Sequence, residues 1–283
     1  MNLQQYHTVT TINGAKLPPS RARISVFDNA LLCAEGLFET LLAVEDRVVF
    51  LKEHLDRLHK GAKVVGLKVP PDRRTLSAWL TTTAEMHPDR IKKLRLTVTS
   101  GESARWTGKQ GPPQVIVSAS PHCLPEKPLK LLVSDLRVDQ RSVFRSIKTV
   151  SYAMNTIAQK RAIQRGFDDA LLLNHSDKVA ETTSANIYWT VRGTVFTTPL
   201  ATGCLEGTTR KHVFRKARQL GLPIVEKTVS LSMLLKADEI FLSSSLKLVA
   251  GVDQIMYGRK RSSFKVGDIT RLLSEQFRRF IHV

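Results

Sequence analysis

The chain has 283 residues, 42% of them hydrophobic and 24% charged, which is an ordinary globular composition for one or two domains. It contains no apolar run near the roughly 18 residues that a membrane span needs, so a membrane protein is not expected. The 43 Lys and Arg residues against 25 Asp and Glu give a net charge of +18. The basic residues are dispersed without an RNP, KH or zinc-finger pattern, which favours small anionic substrates over nucleic acid as partners.

The three cysteines, Cys33, Cys123 and Cys204, lie far apart in the chain and without CxxC spacing. An odd number with this spacing fits neither a disulfide framework nor a zinc site, so no metal is expected. The first ten residues, MNLQQYHTVT, have neither the basic start nor the apolar core of a secretory signal. We therefore expect a protein of the reducing cytoplasm.

Residues 1–120 predict an N-terminal α+β domain. Short strands and turns fill the first 50 residues, with a turn signal at Asn13-Gly14. Apolar residues then recur at helical spacing from Leu51 to Leu67, and Gly66 marks the end of that helix. The other elements predicted in this domain are a helix at 74–86, a strand at 94–100, a polar loop at 101–111 and a strand at 114–120.

The segment 121–128 contains three prolines and no regular periodicity, which predicts a linker before a second domain at 129–283. This second domain is predicted to be β-rich with helices. Its predicted strands are 131–134, 170–173, 186–189, 194–198 and 239–242. Its predicted helices run from Ala153 to Gly166, from Thr208 to Gly221 with threonine as the cap, after Ser230, and from Asp268 onward.

Hydroxyl residues in the second domain predict an anion-binding site. Thr208 and Thr209 stand at a helix start, where unpaired N–H groups and the helix dipole attract negative charge. Ser244 and Ser245 end a predicted strand and would add donors. Simple helix capping is the alternative for such residues, since serine and threonine are common caps. In the first domain, Arg57 is either a surface cation or a phosphate clamp.

Six short motifs, in one order along the chain, resemble those of the fold-type IV enzymes that depend on pyridoxal 5′-phosphate. This group includes branched-chain and D-amino-acid aminotransferases and aminodeoxychorismate lyase. The motifs are GLFET (36–40), HLDRL (54–58), IKTVSY (147–152), ETTSAN (181–186), EGTTR (206–210) and ADEIFLSSS (237–245). The resemblance implies a two-domain fold like that of D-amino-acid aminotransferase, with a smaller N-terminal α+β domain and a larger, β-rich C-terminal domain.

The resemblance also implies roles for individual residues. Lys148 would hold the cofactor as a Schiff base and later carry a proton, although most lysines are solvated surface cations. Glu181 would keep the pyridine nitrogen protonated, so that the ring withdraws electrons. Tyr152 would donate a hydrogen bond to the ring oxygen, or merely pack with its hydroxyl satisfied elsewhere. The phosphate ligands that the resemblance implies are Arg57, Thr208, Thr209, Ser244 and Ser245.

Three residues bear on the choice of reaction. Thr40 stands where the resemblance associates threonine with the lyases, and its hydroxyl would give a proton to the departing enolpyruvyl group. Thr40 also simply suits a strand, which is the structural alternative. Arg105 resembles the arginine that binds the substrate carboxylate in lyases and D-amino-acid transaminases, although Trp106 replaces a common glycine. Phe38, expected to contact substrate, replaces the tyrosine of the D-amino-acid enzymes.

These residues favour 4-amino-4-deoxychorismate lyase, which releases pyruvate and leaves 4-aminobenzoate for folate synthesis. The alternative is an amino-acid transaminase for branched-chain or D-amino acids, with 2-oxoglutarate or pyruvate as the acceptor. The chain is short for a branched-chain enzyme. Since family members are typically dimers, we expect a homodimer that acts on a small anionic, amino-acid-like substrate, without a nucleic acid or membrane partner.

Overall fold

A computed structural model describes residues 8–18, 20–69, 71–102 and 111–281. The chain divides into two compact units. The N-terminal unit holds the residues up to Cys123 together with Ile147–Ser151, and the C-terminal unit holds Leu124–Ser146 and Tyr152 onward. The first crossing between the units therefore falls inside the proline-containing segment 121–128. The short stretch Ile147–Ser151 belongs with the N-terminal unit, although its sequence position lies within the predicted second domain.

Helices and strands alternate irregularly along the described residues. The helices are α1 (Asn29–Leu32), α2 (Leu51–Val65), α3 (Arg73–Glu85), α4 (Ala153–Gln164), α5 (Thr208–Gln219), α6 (Leu231–Leu234) and α7 (Asp268–Arg278). The strands are β1 (Val9–Ile12), β2 (Ala15–Leu17), β3 (Gly36–Val44), β4 (Arg47–Val48), β5 (Ile91–Thr99), β6 (Val115–Pro121), β7 (Leu129–Val138), β8 (Asp169–Asn174), β9 (Val179–Thr182), β10 (Asn186–Val191), β11 (Thr194–Thr197), β12 (Ile224–Glu226), β13 (Glu239–Ser244), β14 (Leu248–Tyr257) and β15 (Lys260–Ser263).

The N-terminal unit is built on a six-stranded antiparallel sheet with the strand order β2-β1-β6-β5-β3-β4. Asn13 and Gly14 both have positive φ and form the turn between β1 and β2, as the sequence predicts. On β3, Leu37 and Leu41 are buried and join the core with α2 and α3. Because side chains alternate along a strand, Phe38 and Thr40 lie on the opposite face of β3.

Helix α2 follows from the apolar spacing in its sequence. Leu55, Leu58 and Ala62 are buried in the core of the N-terminal unit. The helix ends at Gly66, whose left-handed backbone conformation places its N–H in a hydrogen bond with the Ala62 carbonyl. These contacts fix α2 against β3, and they thereby fix the direction of the polar side chains that α2 carries.

The C-terminal unit is built on a nine-stranded mixed sheet. The strand order is β12-β11-β10-β13-β14-β7-β8-β9, with β15 paired to β14. The pairs β14/β7, β7/β8 and β11/β12 are parallel, and the others are antiparallel. Arg192 and Gly193, both at positive φ, form the predicted turn between β10 and β11. The tight turn from β9 to β10 carries most of the ETTSAN motif.

Several details differ from the sequence-based prediction. Strands β12, β14 and β15 of the C-terminal unit have no counterpart in it. The cap of α5 is Gly207 rather than a threonine, so Thr208 is the first helical residue. This leaves the start of α5 without a side-chain cap.

Two further features concern the expected compartment and metals. None of the described helices is long and apolar enough to cross a membrane. Across the parts of the chain that the structure describes, no group of three or more His, Cys, Asp or Glu side chains is arranged to hold a metal ion. All three cysteines are free thiols.

Glu239 on β13 caps helix α7, whose own cap residue is Gly267. The Glu239 carboxylate accepts hydrogen bonds from the backbone N–H groups of Ile269 at 3.3 Å and Thr270 at 2.8 Å. A β-carbon at Gly267 would lie 2.4 Å from that carboxyl carbon, so glycine is required there.

We therefore expect Glu239→Ala to lower the free energy of unfolding by about 1–2 kcal/mol, because two N–H groups lose their acceptor. Urea denaturation measures this change. The exposed Glu275 on the same helix is the control, and Glu275→Ala should cost less than about 0.5 kcal/mol. Equal losses in the two variants would contradict the capping role.

Candidate active site

Lys148 is anchored on the sheet of the N-terminal unit. The backbone N–H of Phe38 donates to the Lys148 carbonyl at 2.9 Å, and the Val150 N–H donates to the Gly36 carbonyl at 3.0 Å. Ile147 and Thr149 are buried, with Ile147 in the core, so the side chain between them points to the other side. The Lys148 ammonium lies 4.3 Å from the centre of the Phe38 ring. Lys148 is therefore not an ordinary solvated cation.

We call the residues around this ammonium the Lys148 face: Phe38, Thr40, Arg95 and Lys148. The Arg95 guanidinium lies 3.9 Å from the centre of the Phe38 ring. Thr40 is directly opposite Arg95 in the β3/β5 register and is partly exposed. The Lys148 face therefore presents two cations, an aromatic ring and one hydroxyl. A substrate that carries a carboxylate beside an apolar group suits this chemistry.

On the opposite face of β3, Glu39 holds two side chains of α2. Arg57 donates from Nε to Glu39 Oε1 at 2.8 Å and from Nη2 to Oε2 at 2.5 Å. His54 Nδ1 lies 2.7 Å from the same Oε2. Glu39 and His54 are fully buried, and the Arg57 side chain is 10% exposed. Arg57 is therefore not a surface cation, and its proposed contact with phosphate stays a prediction.

The charges in this cluster shift the pKa values of both its titratable partners. Burial alone raises the pKa of Glu39, but Arg57 and His54 together outweigh burial and lower it to about 2. Burial lowers the pKa of His54 below its ordinary value, and the positive charges of Arg57 and Lys148 act in the same direction, against the opposing effect of Glu39. The cluster at neutral pH is thus an ion pair of Glu39 and Arg57 beside a neutral histidine.

In the C-terminal unit, Glu181 on β9 is a nearly buried carboxylate with several donors. Arg145 forms an ion pair with Glu181 Oε1 and donates from Nε to the Gly203 carbonyl at 2.7 Å. Glu181 Oε2 accepts from the Leu205 N–H at 3.1 Å and from Asn186 Nδ2 at 3.5 Å. Arg145 supplies the positive charge that a buried carboxylate needs. The side chain of Glu181 is thereby held in one orientation.

Tyr152 precedes α4, and its hydroxyl donates to the Thr183 carbonyl. Asn155 Nδ2 donates to the same carbonyl at 2.8 Å. Burial, followed by the negative charges of Glu181 and Asp169, raises the pKa of Tyr152, so the phenol keeps its proton at neutral pH. In this structure the Tyr152 hydroxyl donates its proton to the Thr183 carbonyl, and its donation to a cofactor oxygen stays a prediction.

The start of α5 has the features of a phosphate site. The first N–H groups of any helix lack intrahelical acceptors, and Gly207 offers no side chain to cap them. Thr208 and Thr209 are buried, and the Thr209 hydroxyl has no hydrogen-bond partner among the described residues. The Thr208 hydroxyl lies 3.3 Å from that of Ser245. An anion with several acceptor oxygens would satisfy these donors.

The predicted site residues therefore fall into two sets. The N-terminal unit carries Phe38, Thr40, Arg57 and Lys148, and the C-terminal unit carries Tyr152, Glu181, Thr208, Thr209, Ser244 and Ser245. Arg105 and Trp106, on which the choice of reaction partly depended, lie outside the described residues.

The structure adds residues that the sequence did not single out. Arg145 and Arg95 are two cations among 43 in a strongly basic chain, so nothing in the sequence distinguished them. Glu39 and His54 lie inside recognised motifs, but only the packing of α2 on β3 brings them together. Asp169 begins an apolar strand, and its partners lie in the turn after β9.

Comparison with known proteins agrees with the motifs. A family model of the class IV amino-transferases matches residues 36–255. The chain belongs to the class IV aminotransferase family. It is accordingly an enzyme that depends on pyridoxal 5′-phosphate, and the class of the cofactor and of the enzyme is confirmed.

Two relatives of this class IV chain illustrate its similarities. A Methanocaldococcus jannaschii protein assigned as a branched-chain-amino-acid aminotransferase is 31% identical over 272 residues, covering 94% of each chain. D-alanine aminotransferase of Bacillus licheniformis is 28% identical over 246 residues, covering 86% of this chain and 87% of the relative.

Solved structures confirm the fold-type IV architecture. Branched-chain aminotransferase from Thermoproteus uzoniensis, solved with norvaline, has a TM-score of 0.88 at 28% identity, covering 96% of this chain and 94% of that one. 4-Amino-4-deoxychorismate lyase from Pseudomonas aeruginosa has a TM-score of 0.85 at 26% identity, covering 97% of this chain and all of that one. The fold therefore accommodates both reactions.

The residues present fit pyridoxal 5′-phosphate. The uncapped start of α5 and the Thr209 hydroxyl, which has no partner within the described part of the chain, suit the phosphate, and the buried carboxylate of Glu181 suits the pyridine nitrogen. The amine that the resemblance assigns to covalent attachment is that of Lys148, in the N-terminal unit. When bound, the cofactor acts as an electron sink for the carbon next to the substrate amine.

His54 gives the N-terminal unit a testable pH dependence. Because its folded-state pKa is depressed, its contribution to stability is present above about pH 6.5, its unfolded pKa, and is lost as the pH falls below that value. We expect the free energy of unfolding, measured by urea denaturation without cofactor, to decrease from pH 7.5 to pH 5.5, by at most about 1.4 kcal/mol per pH unit from this residue.

His54→Asn keeps a donor for Glu39 but cannot titrate, so it should flatten that slope. His175→Asn, which changes an exposed histidine, is the control and should retain it. An unchanged slope in His54→Asn would show that His54 is not the group responsible.

Proposed function

We propose that the protein is an amino-acid transaminase that takes the amino group of branched-chain amino acids and passes it to 2-oxoglutarate. The observation that carries this proposal is the 31% identity to the M. jannaschii relative over 94% of both chains. The sequence analysis favoured the lyase, in part because of Thr40. We now favour the transaminase, because similarity along 94% of the chain is stronger support than the presence of one hydroxyl group.

The Lys148 face supports this proposal chemically. The Phe38 ring offers an apolar surface for an aliphatic side chain, and Arg95 offers a guanidinium for a carboxylate of the amino acid or of the acceptor. Lys148 would act as the general base at the substrate α carbon and would later return the proton. In the C-terminal unit, Arg145 forms an ion pair with Glu181, and Glu181 would keep the pyridine nitrogen protonated.

A second candidate is 4-amino-4-deoxychorismate lyase. The observation that favours it is the position of Thr40, which is partly exposed on the Lys148 face. A hydroxyl there is able to protonate the departing enolpyruvyl group, since hydroxyl groups both donate and accept. The lyase would also use Lys148 and Glu181, so these two residues do not separate the reactions.

We also propose a cytoplasmic homodimer. Four apolar side chains of the N-terminal unit are more than half exposed: Val26 at 65%, Phe27 at 64%, Leu31 at 61% and Leu32 at 57%. Exposed apolar groups close together in the chain are typical of interfaces, and a second copy of this chain fits the family resemblance. The three free thiols suit a reducing compartment.

The half-reaction separates the candidates. We expect the yellow holoenzyme, mixed with L-leucine, L-isoleucine or L-valine and no acceptor, to convert fully to the pyridoxamine form and release one equivalent of keto acid per subunit. Added 2-oxoglutarate should then restore the yellow form. Absorbance spectra and keto-acid assay measure both steps.

The control is Lys148→Ala, which should show no conversion because it lacks the base that moves the α proton. D-alanine tests the other transaminase activity, and 4-amino-4-deoxychorismate tests the lyase. Release of pyruvate from the latter without conversion by any branched-chain amino acid would overturn the proposal in favour of the lyase.

A further inference from the structure

The turn Thr182–Ala185, between β9 and β10, closes over one buried aspartate. Asp169, the first residue of β8, is fully buried. Its Oδ2 accepts from the hydroxyls of Thr182 at 3.0 Å and Ser184 at 2.9 Å. Its Oδ1 accepts from the hydroxyl and the N–H of Thr183. Three consecutive side chains of the turn therefore bind one carboxylate.

This turn adjoins two predicted cofactor ligands, Glu181 and Tyr152. Glu181 immediately precedes it on β9, and the Thr183 carbonyl within it accepts the hydrogen bond of Tyr152. Because Asp169 fixes Thr182 and Thr183, it also fixes where the Glu181 backbone and the acceptor of Tyr152 lie. The position of Asp169 is itself set by strand pairing, since it lies opposite Leu131 of β7.

Lys247 connects this turn to a second one, Ser244–Lys247, between β13 and β14. The Lys247 ammonium lies 2.7 Å from the Ser184 hydroxyl and 3.5 Å from Asp169 Oδ2. Its backbone N–H donates to the Ser244 hydroxyl at 3.1 Å. The neighbouring Ser245 hydroxyl reaches Thr208 at the start of α5. One lysine thus joins the turn after Glu181 to the turn that carries the predicted phosphate ligands.

We propose that Asp169 and Lys247 form a clamp that sets the distance between the two cofactor-binding turns of the C-terminal unit. Both are positioning residues, because they act through Glu181 on one side and through Ser244 and Ser245 on the other. The proposal rests on the assignment of these three residues as cofactor ligands. With the clamp in place, the Glu181 carboxylate and the phosphate donors Ser244 and Ser245 would bind the two ends of one rigid cofactor at the same time.

The physical reason is preorganisation. A ligand with two ends binds tightly when both contact sites already have the spacing of the ligand, because no binding energy is then used to order them. Lys247 is 18% exposed, and its charge also offsets that of the buried Asp169. Without Lys247, each turn keeps its own contacts and the backbone pairing of Asn186 with Ser243 keeps the two strands together, but the side-chain link between the two turns is lost.

The test compares the whole cofactor with its two parts. The full-length protein, freed of cofactor, is titrated by calorimetry with pyridoxal 5′-phosphate, with pyridoxal and with inorganic phosphate. We expect Lys247→Met to weaken pyridoxal 5′-phosphate binding roughly tenfold, the loss of about one hydrogen bond to a charged group. Affinities for pyridoxal and for phosphate alone should stay within about twofold.

Three further variants complete the test. Lys247→Arg keeps the charge and should restore most of the affinity, whereas Asp169→Asn should reproduce the loss. Arg161→Met breaks an exposed ion pair with Asp135 in the same unit and should change nothing. If Asp169→Asn does not fold, the Lys247 variants still decide the matter, because Lys247 lies at the edge of the cluster.

Unchanged pyridoxal 5′-phosphate binding in Lys247→Met would overturn the clamp. A parallel loss of affinity for pyridoxal or phosphate alone would also overturn it, because that result means local damage to one turn. These titrations contain no amino acid, so a negative transamination assay and a negative clamp result are distinguishable.

Discussion

The short antiparallel pairing of Lys148 with β3 is the constraint on which the active-site chemistry depends. Two backbone hydrogen bonds, from Phe38 to the Lys148 carbonyl and from Val150 to the Gly36 carbonyl, join this stretch to the N-terminal sheet. The segments on either side of this stretch, Leu124–Ser146 and Tyr152 onward, belong to the C-terminal unit. A reactive amine on a long, flexible side chain gains a defined starting point from this pairing, which a free loop would not provide.

Buried carboxylates with several partners each hold Arg57, Glu181 and the turn that follows Glu181 in place. Glu39 binds Arg57 and His54 behind the Lys148 face, Glu181 binds Arg145, and Asp169 binds three hydroxyls and Lys247. A buried carboxylate is costly unless it is paired, so each pair removes a penalty and at the same time fixes a geometry. In both units, a buried carboxylate orients the side chains that bind to it.

The sequence predicted the elements with strong periodicity and the motifs with special chemistry. Helix α2, its end at Gly66 and the turn at Arg192-Gly193 follow from local rules, and the six motifs indicated the cofactor. Contacts between residues far apart in the chain had no comparable signal in the sequence. Asp169 and Lys247 are 78 residues apart, and neither residue type is unusual at its position. The sequence also did not decide between the lyase and the transaminase reaction, because a threonine at position 40 suits a strand as well as it suits a proton donor.

The central claim is that Lys148, placed by its pairing with β3, is the residue to which the cofactor is attached. Reduction of the holoenzyme with borohydride, followed by proteolysis and mass spectrometry, tests it directly. We expect a single cofactor-modified peptide with the added mass on Lys148, and no stable adduct in Lys148→Ala. A modification on another lysine, or an unchanged adduct in that variant, would contradict it.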